Sequence, residues 1–337
     1  MGKTMIQGDI VKKYLNKYPQ LPSLTLAKLI FQENELLFNS VESVRKTVRY
    51  YRGAVGDKQR ETVLDKKFIR DHTSPNFAPF KIPDSVSKDA EPYKLPTANN
   101  NIGVISDLHI PNHRVEPIKI ALNYFDKKQI NTLIINGDLL DNTPFTRFNV
   151  KRPTAKDARE WFDMAEEFLE HCRDRYPTAK IIWLAGNHDM WYERWMWSHA
   201  YQLGDDPYFT LQERLHLTDH KIEWIPENRY LLAGKLSIVH GHHLVKGVFA
   251  PVNAARGVYL KAKKSVMIGH VHVTSEHTET DLHGDIITCW STGCNCTLTP
   301  DYSPMGGKAC HGFAHVTTER NGDFNVENFR IHKGKLL

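Results

Sequence analysis

The sequence predicts an α/β domain preceded by a small, all-helical, basic domain. At 337 residues the chain exceeds the usual size of a single domain. Its net charge is +5, yet residues 1 to 60 alone carry +6, from seven Lys and four Arg against two Asp and three Glu. Beyond residue 100, short apolar strands alternate with amphipathic helices, the pattern of βαβ units.

The composition, 41% hydrophobic and 25% charged, is that of a globular protein. Every apolar run is too short to cross a bilayer, so no membrane association is expected. The opening stretch, MGKTMIQGDIVKKYLNKYP, has no apolar core followed by a small-residue cleavage site, and a cytoplasmic location is the expectation. Five cysteines are an odd number, and Cys294-x-Cys296 lacks the two-residue gap of a redox or zinc-ribbon pair, so reduced structural thiols are expected. The 18 histidines are more informative, because imidazole is the commonest metal ligand and many of them lie beside Gly and Asp.

Three short helices come first, at roughly 9–17, 23–35 and 40–52, the second starting at Ser23 and the third opening with Asn39 and Glu42 spaced as a capping box. In the third, Val41, Val44, Val48 and Tyr51 share one face while Arg45, Lys46, Arg49 and Arg52 lie elsewhere on its surface. Two short helices followed by a basic one suit a helix-turn-helix-like module whose last helix meets a nucleic-acid groove. A solvated cationic helix is the competing reading. From Asp71 to Asn100 periodicity vanishes and five prolines appear. The domains are therefore placed at 1–70 (helical and basic), 71–100 (Pro-rich linker) and 101–337 (α/β).

After the linker, Asn101 to Ser106 reads as a strand, Val115 to Lys127 as a helix and Thr132 to Asn136 as a strand. Ala155 to Tyr176 reads as a long amphipathic helix and Lys180 to Ala185 as a third strand. Further strands are expected near Lys235 to Val239 and Ser265 to Ile268, then a β-rich tail with a hairpin turn at Arg320-Asn321-Gly322-Asp323.

Five polar motifs come directly after apolar strands: Asp107-Leu108-His109, Gly137-Asp138-Leu139-Leu140-Asp141, Gly186-Asn187-His188-Asp189, His240-Gly241-His242 and Gly269-His270-Val271-His272. Ligands bind at the carboxyl ends of strands in open α/β sheets, so five such motifs can converge on one site. Carboxylate, amide oxygen and imidazole together suit borderline divalent metals, and no Cys in the motifs argues against a thiolate site. Alternation along an extended strand end would project both residues of Asp107-x-His109 toward the ions. Any one motif alone would be weak evidence; five in order are strong.

These blocks resemble those of the calcineurin-like metallophosphoesterases, whose pattern is DxH, GDxxD, GNH(D/E), a later His and GHxH, and the resemblance covers residues 101 to about 275. It implies an αββα sandwich, two packed mixed sheets flanked by helices, around two divalent metal ions. Manganese is the leading expectation, with iron, zinc, cobalt or nickel as alternatives. By the same resemblance Asp107, His109 and His272 would hold one metal, Asn187, His240 and His270 the other, and Asp138 would bridge both. His242 is an alternative to His240 as ligand, or a residue supporting it. His188 would be the general acid, with Asp189 orienting it, and Asp141 would fix a ligand by hydrogen bond. Helix capping is the competing role for Asp141 and Asp189.

Residues between the motifs are candidates for substrate contact: His113 and Arg114, then Arg147, Lys151 and Arg152 for phosphates, then Trp191, Tyr192 and Arg194 after the third motif. That last stretch is aromatic enough for bases to stack, whereas Trp195 and Trp197 are expected to pack inward. The leading function is a metal-dependent phosphodiesterase acting on nucleic acid, a nuclease, with Arg45, Lys46, Arg49 and Arg52 as the nucleic-acid contacts. A phosphomonoesterase acting on a nucleotide, a phosphoprotein or a nucleic-acid end is the alternative. A non-catalytic DNA-binding protein with a vestigial metal site is the third reading.

Overall fold

A computed structural model of the chain describes residues 2–53, 85–87, 89–148, 155–204, 206–245, 252–300 and 307–337. The chain divides into two compact units, Met1–Lys88 and Asp89–Leu337.

In the first unit, helices α1 (Gly2–Lys17), α2 (Ser23–Glu33) and α3 (Val41–Tyr51) enclose Val11, Leu26, Ala27, Ile30, Phe38, Val44 and Val48. The α3 stripe read from the sequence is thus the buried one. Its cap is Ser40 rather than Asn39: the extended Ser40 backbone carries its hydroxyl to the Ser43 N–H, 3.2 Å away. The expected role of Arg52 is corrected. Its side chain is buried, donating to Ser23 Oγ at 2.9 Å and to the carbonyls of Leu21 and Pro19, so it ties the end of α3 to the turn before α2. Arg45 pairs with Glu42 at 3.3 Å, while Lys46 and Arg49 are exposed.

In the second unit, β2 (Asn101–Ile105), β3 (Thr132–Asn136), β4 (Lys180–Leu184) and β5 (Ile222–Ile225) run parallel. Beyond β2 the sheet continues antiparallel through β11 (His311–Thr318), β12 (Phe324–His332) and β13 (Lys335–Leu336). The other sheet has the order β1 (Tyr93–Lys94), β6 (Leu231–Ala233), β7 (Leu236–Val239), β8 (Val266–Ile268), β10 (Ile286–Ser291), β9 (Ser275–Thr280). Tyr93 and Lys94, expected inside the linker, therefore belong to this sheet, paired with Leu231 and Leu232. Residues 71–84 and 88 of that linker lie outside the described residues.

Side-chain alternation sets the layers. Ile102, Val104, Ile134, Ile182 and Leu184 face Leu231, Ala233, Leu236, Ile238 and Met267 of the other sheet. On the opposite face Ile105, Leu133, Ile135, Ile181 and Trp183 pack against α4 (Val115–Lys128) and α5 (Ala155–Arg175), through Leu122, Phe125, Phe162 and Leu169. Helix α8 (Ala254–Ala262), after α6 (Asp189–His199) and α7 (Leu211–Arg214), covers the outer face of the second sheet with Ala255 and Val258. This is an αββα sandwich. Burial on both faces explains why β2, β3 and β4 read as continuous apolar runs, each large side chain contributing about 1.5–3 kcal/mol. No described helix is long and apolar enough to cross a membrane.

Parallel β2, β3 and β4 end on one side of their sheet, as do parallel β7 and β8 in theirs. All five motifs begin within three residues of those ends. The aromatic segment after Gly186-Asn187-His188 is helix α6.

Candidate metal centre

The motif residues meet across the ends of both sheets. Asp107 Oδ1 lies 3.2 Å from His272 Nε2, and His272 Nε2 lies 3.2 Å from His109 Nε2. Asp138 Oδ2 lies 3.1 Å from His240 Nε2 and 3.7 Å from His109 Nε2. Grouped by ligand-atom proximity, Asp138 joins His240 and His270 on one side and His109 and His188 on the other. One carboxylate therefore stands between two sets of imidazoles.

Several features suit these residues to cations. Asn187 Oδ1 is buried with no hydrogen-bond partner, as an oxygen kept for a metal would be. His240 is oriented from behind: its Nδ1–H donates to the Asn136 carbonyl at 2.8 Å, so Nε2 faces Asp138. His109 Nδ1 likewise donates to Asp141 Oδ1 at 3.2 Å. Asp138 Oδ1 accepts from the His188 backbone N–H at 2.9 Å, and the Asp107 carboxylate accepts from the His270 N–H at 3.0 Å, a bond that joins the two sheets.

The electrostatics result from that crowding. Burial alone would raise the Asp107 carboxyl, but His272 outweighs it and holds the pKa down to about 2. Burial is likewise overcome at Asp138 by His240 and His188, and its carboxyl is held well below the usual range. Burial opposes charge on His240, yet Asp138 raises its pKa to about 9. His270 goes the other way, to about 4, through burial and the neighbouring His240.

The local backbone is not the extended chain expected at the motifs. Asp107, His109, Asp138, His270 and His272 all have positive φ, between 50° and 63°. Left-handed residues cost roughly 1–3 kcal/mol each, so the packed sheets hold these ligand candidates in place against strain. Gly137 takes φ +83°, and a Cβ there would stand 2.2 Å from His240 Nδ1. Gly137→Ala should therefore displace His240, destabilise the fold by roughly 1–3 kcal/mol and lower bound metal. Unchanged thermal unfolding and metal content would contradict this.

His188 lies at the mouth of α6. Its Nδ1–H donates to the Asp141 carbonyl at 2.8 Å, leaving Nε2 as the nitrogen open to a substrate. Burial opposes the charged ring, but Asp138 and Asp141 outweigh it and raise the His188 pKa. Asp189 does not orient this ring, contrary to the expectation. Its buried carboxylate accepts instead from the N–H groups of Asp138, Leu140 and Gly186 and from Trp183 Nε1, at 2.8–3.1 Å. Through Asp138, Leu140 and Gly186 it clamps the second motif to the third. Asp141 takes the orienting role through its carbonyl and touches His109 through its carboxylate.

A cavity of about 340 Å³ opens over the centre, lined by His109, Asp138, His188, His270, His272, Thr297, Leu298 and Lys308 among others. Most expected substrate contacts lie away from it. Arg194 is held by Glu227 at 2.5 and 2.6 Å, and Arg147 lies over the ring of Phe148. Tyr192 packs against Phe145 and Phe162 and donates to the Phe209 carbonyl, so it is core. His113 is half-buried and forms a backbone bridge with Cys296. Arg114 reaches Thr297 Oγ1 at 3.0 Å, on the cavity edge. Lys151 and Arg152 lie outside the described residues. Trp191 is half-buried, its ring 3.8 Å from that of His188, and Trp197, expected inside, is exposed. His242 Nε2 pairs with Glu227 Oε2 at 3.1 Å, and its ring lies 5.6 Å from that of His240 and 6.1 Å from that of His270.

Sequence reasoning missed Thr297, Leu298 and Lys308, which belong to no motif. It also set thiols aside, yet Cys296 Sγ lies 3.9 Å from His272 Nδ1 and groups with His109 and His272. The Cys-x-Cys spacing was the available signal.

A model of the calcineurin-like phosphoesterase family matches residues 101–285. No curated protein matches the chain significantly. Among solved structures, Vps29 from Cryptosporidium parvum is similar at 14% identity and a TM-score of 0.38, covering 71% of this chain and 94% of its own. A dimetal phosphatase from Danio rerio is similar at 14% identity and 0.36, covering 69% and 96%. The E. coli phosphoesterase YfcE is similar at 17% identity and 0.34, covering 65% and 91%.

Proposed function

The chain belongs to the calcineurin-like phosphoesterase family, and on that premise we propose that it is a two-metal phosphodiesterase acting on nucleic acid. The observation that carries the hydrolytic half is Asp138, shared between two sets of imidazoles. Asp107, His109 and His272 would hold one ion, Asn187, His240 and His270 the other, with manganese as the proposed metal. Such a pair polarises phosphoryl oxygens and brings water toward deprotonation near neutral pH. The cavity holds the ester across the centre. His188 then protonates the departing oxygen through Nε2, steered by the Asp141 carbonyl.

The nucleic-acid half rests on α3, where Lys46 and Arg49 stand exposed on a helix whose other face is core. If both meet phosphates, reversing both charges should lower the slope of log affinity against log salt by about two units, near one for each phosphate no longer neutralised. Binding isotherms of the full chain and the Lys46→Glu/Arg49→Glu variant at several salt concentrations test this. Identical slopes, with hydrolysis confined to phosphomonoesters, would replace this reading with the monoesterase one. Arg52 is the wrong residue for the test, since its substitution would unpack the unit.

A further inference from the structure

Trp191 is the third residue after His188, and the two side chains meet because α6 begins between them. His188 is the N-cap, and the Trp191 N–H bonds back to the His188 carbonyl at 3.0 Å. Residues three apart share a helix face. The result is a close, tilted ring contact at a centroid distance of 3.8 Å and an interplanar angle of 30°.

The imidazole is held by three contacts. Its Nδ1–H is fixed to the Asp141 carbonyl at 2.8 Å, which sets one direction but still allows the ring to swing about that bond. His109 meets it edge-on at 4.6 Å and 85°. Trp191 lies against it as well, and is itself in contact with the ring of Phe148 at 5.9 Å. Both rings restrict that swing, and His188 lines the cavity over the centre.

We propose that Trp191 is a positioning residue for leaving-group protonation, its indole face holding the His188 ring with Nε2 toward the departing oxygen. The proposal rests on His188 being the general acid. No bond to Trp191 forms or breaks; the proton passes from His188 Nε2 to the ester oxygen as the P–O bond cleaves.

The test compares an alkyl ester, whose leaving oxygen needs a proton, with a p-nitrophenyl ester of the same phosphoryl group, which needs none. Trp191→Leu keeps apolar bulk without an aromatic face, and Trp191→Phe restores a face. Trp191→Leu should lower kcat for the alkyl ester roughly ten- to a hundredfold, the scale of a misplaced catalytic group, with KM little changed. The aryl ester should slow far less, and Trp191→Phe should recover most of the loss. On a His188→Ala background, Trp191→Leu should add nothing, because both act on one proton transfer. Metal content and thermal unfolding verify that each variant is folded and loaded.

Equal loss on both esters, a loss confined to KM, or an additive loss in the double variant would overturn the proposal while leaving His188 in place. A His188→Ala variant indifferent to the leaving group would overturn the general-acid reading itself.

Discussion

Asp138→Asn should lose at least about a thousandfold in hydrolysis, some 4 kcal/mol at the transition state, and should bind fewer than two ions. The carboxylate is fully buried between His240 and His109, and nothing else described stands in both ligand groups. An amide of the same shape keeps an oxygen for the His188 N–H that Asp138 Oδ1 now accepts at 2.9 Å, so the fold should survive. The negative charge disappears. Two cations held by these residues would rely on that charge to offset their repulsion, so one of them should bind more weakly. His240→Ala should empty one side of the centre in the same way, since its Nε2 faces Asp138 while the Asn136 carbonyl holds its Nδ1. Two ions retained with near-normal turnover in either variant would remove these residues from the metal assignment.

His188→Ala should behave differently, keeping metal while losing roughly a hundredfold or more in rate on an alkyl ester, the usual scale of general acid catalysis. The separation matters because His188 also falls within ligand distance of His109 and Asp138. A ring held through Nδ1 by a backbone carbonyl suits either role, as His240 shows, so the metal content of this variant decides between proton donor and ligand. Partial recovery on a p-nitrophenyl ester is expected, since that leaving group departs as an anion. Loss of bound metal in this variant would make His188 a ligand and leave the departing oxygen without a donor.

Much of this centre was legible in the sequence, for a specific reason. Asp107, Asp138, Asn187, His240 and His270 each come just after a short apolar strand, and parallel strands ending on one side must deliver the residues beyond their ends to one place. The layers were legible in the same way, because doubly buried strands such as Thr132–Asn136 have no polar alternation to hide. The illegible part depends on contacts between distant segments. Nothing near Asp189 foretells that its carboxylate would accept from Asp138 and Leu140 of the second motif as well as from Gly186 of its own. Glu227 lies far from Arg194 in sequence, yet it takes that guanidinium out of the cavity. The left-handed backbone at five motif residues is held by the surrounding sheets, since even Asp and His, though enriched there, adopt it in only a small share of positions. Trp191 was read as a platform for a base because spacing alone does not say which neighbour a ring will cover; the helix start at Asp189 decides for His188.

The central claim is that Asp138 joins two metal ions into one hydrolytic centre. Its most direct test is a titration of metal-stripped protein with manganese, following bound metal per chain and turnover of a chromogenic phosphodiester in the same samples. The predicted result is turnover that appears only as occupancy approaches two ions per chain, and that stays absent in Asp138→Asn at any manganese concentration. Full turnover at one ion per chain, or in the stripped protein, would contradict it.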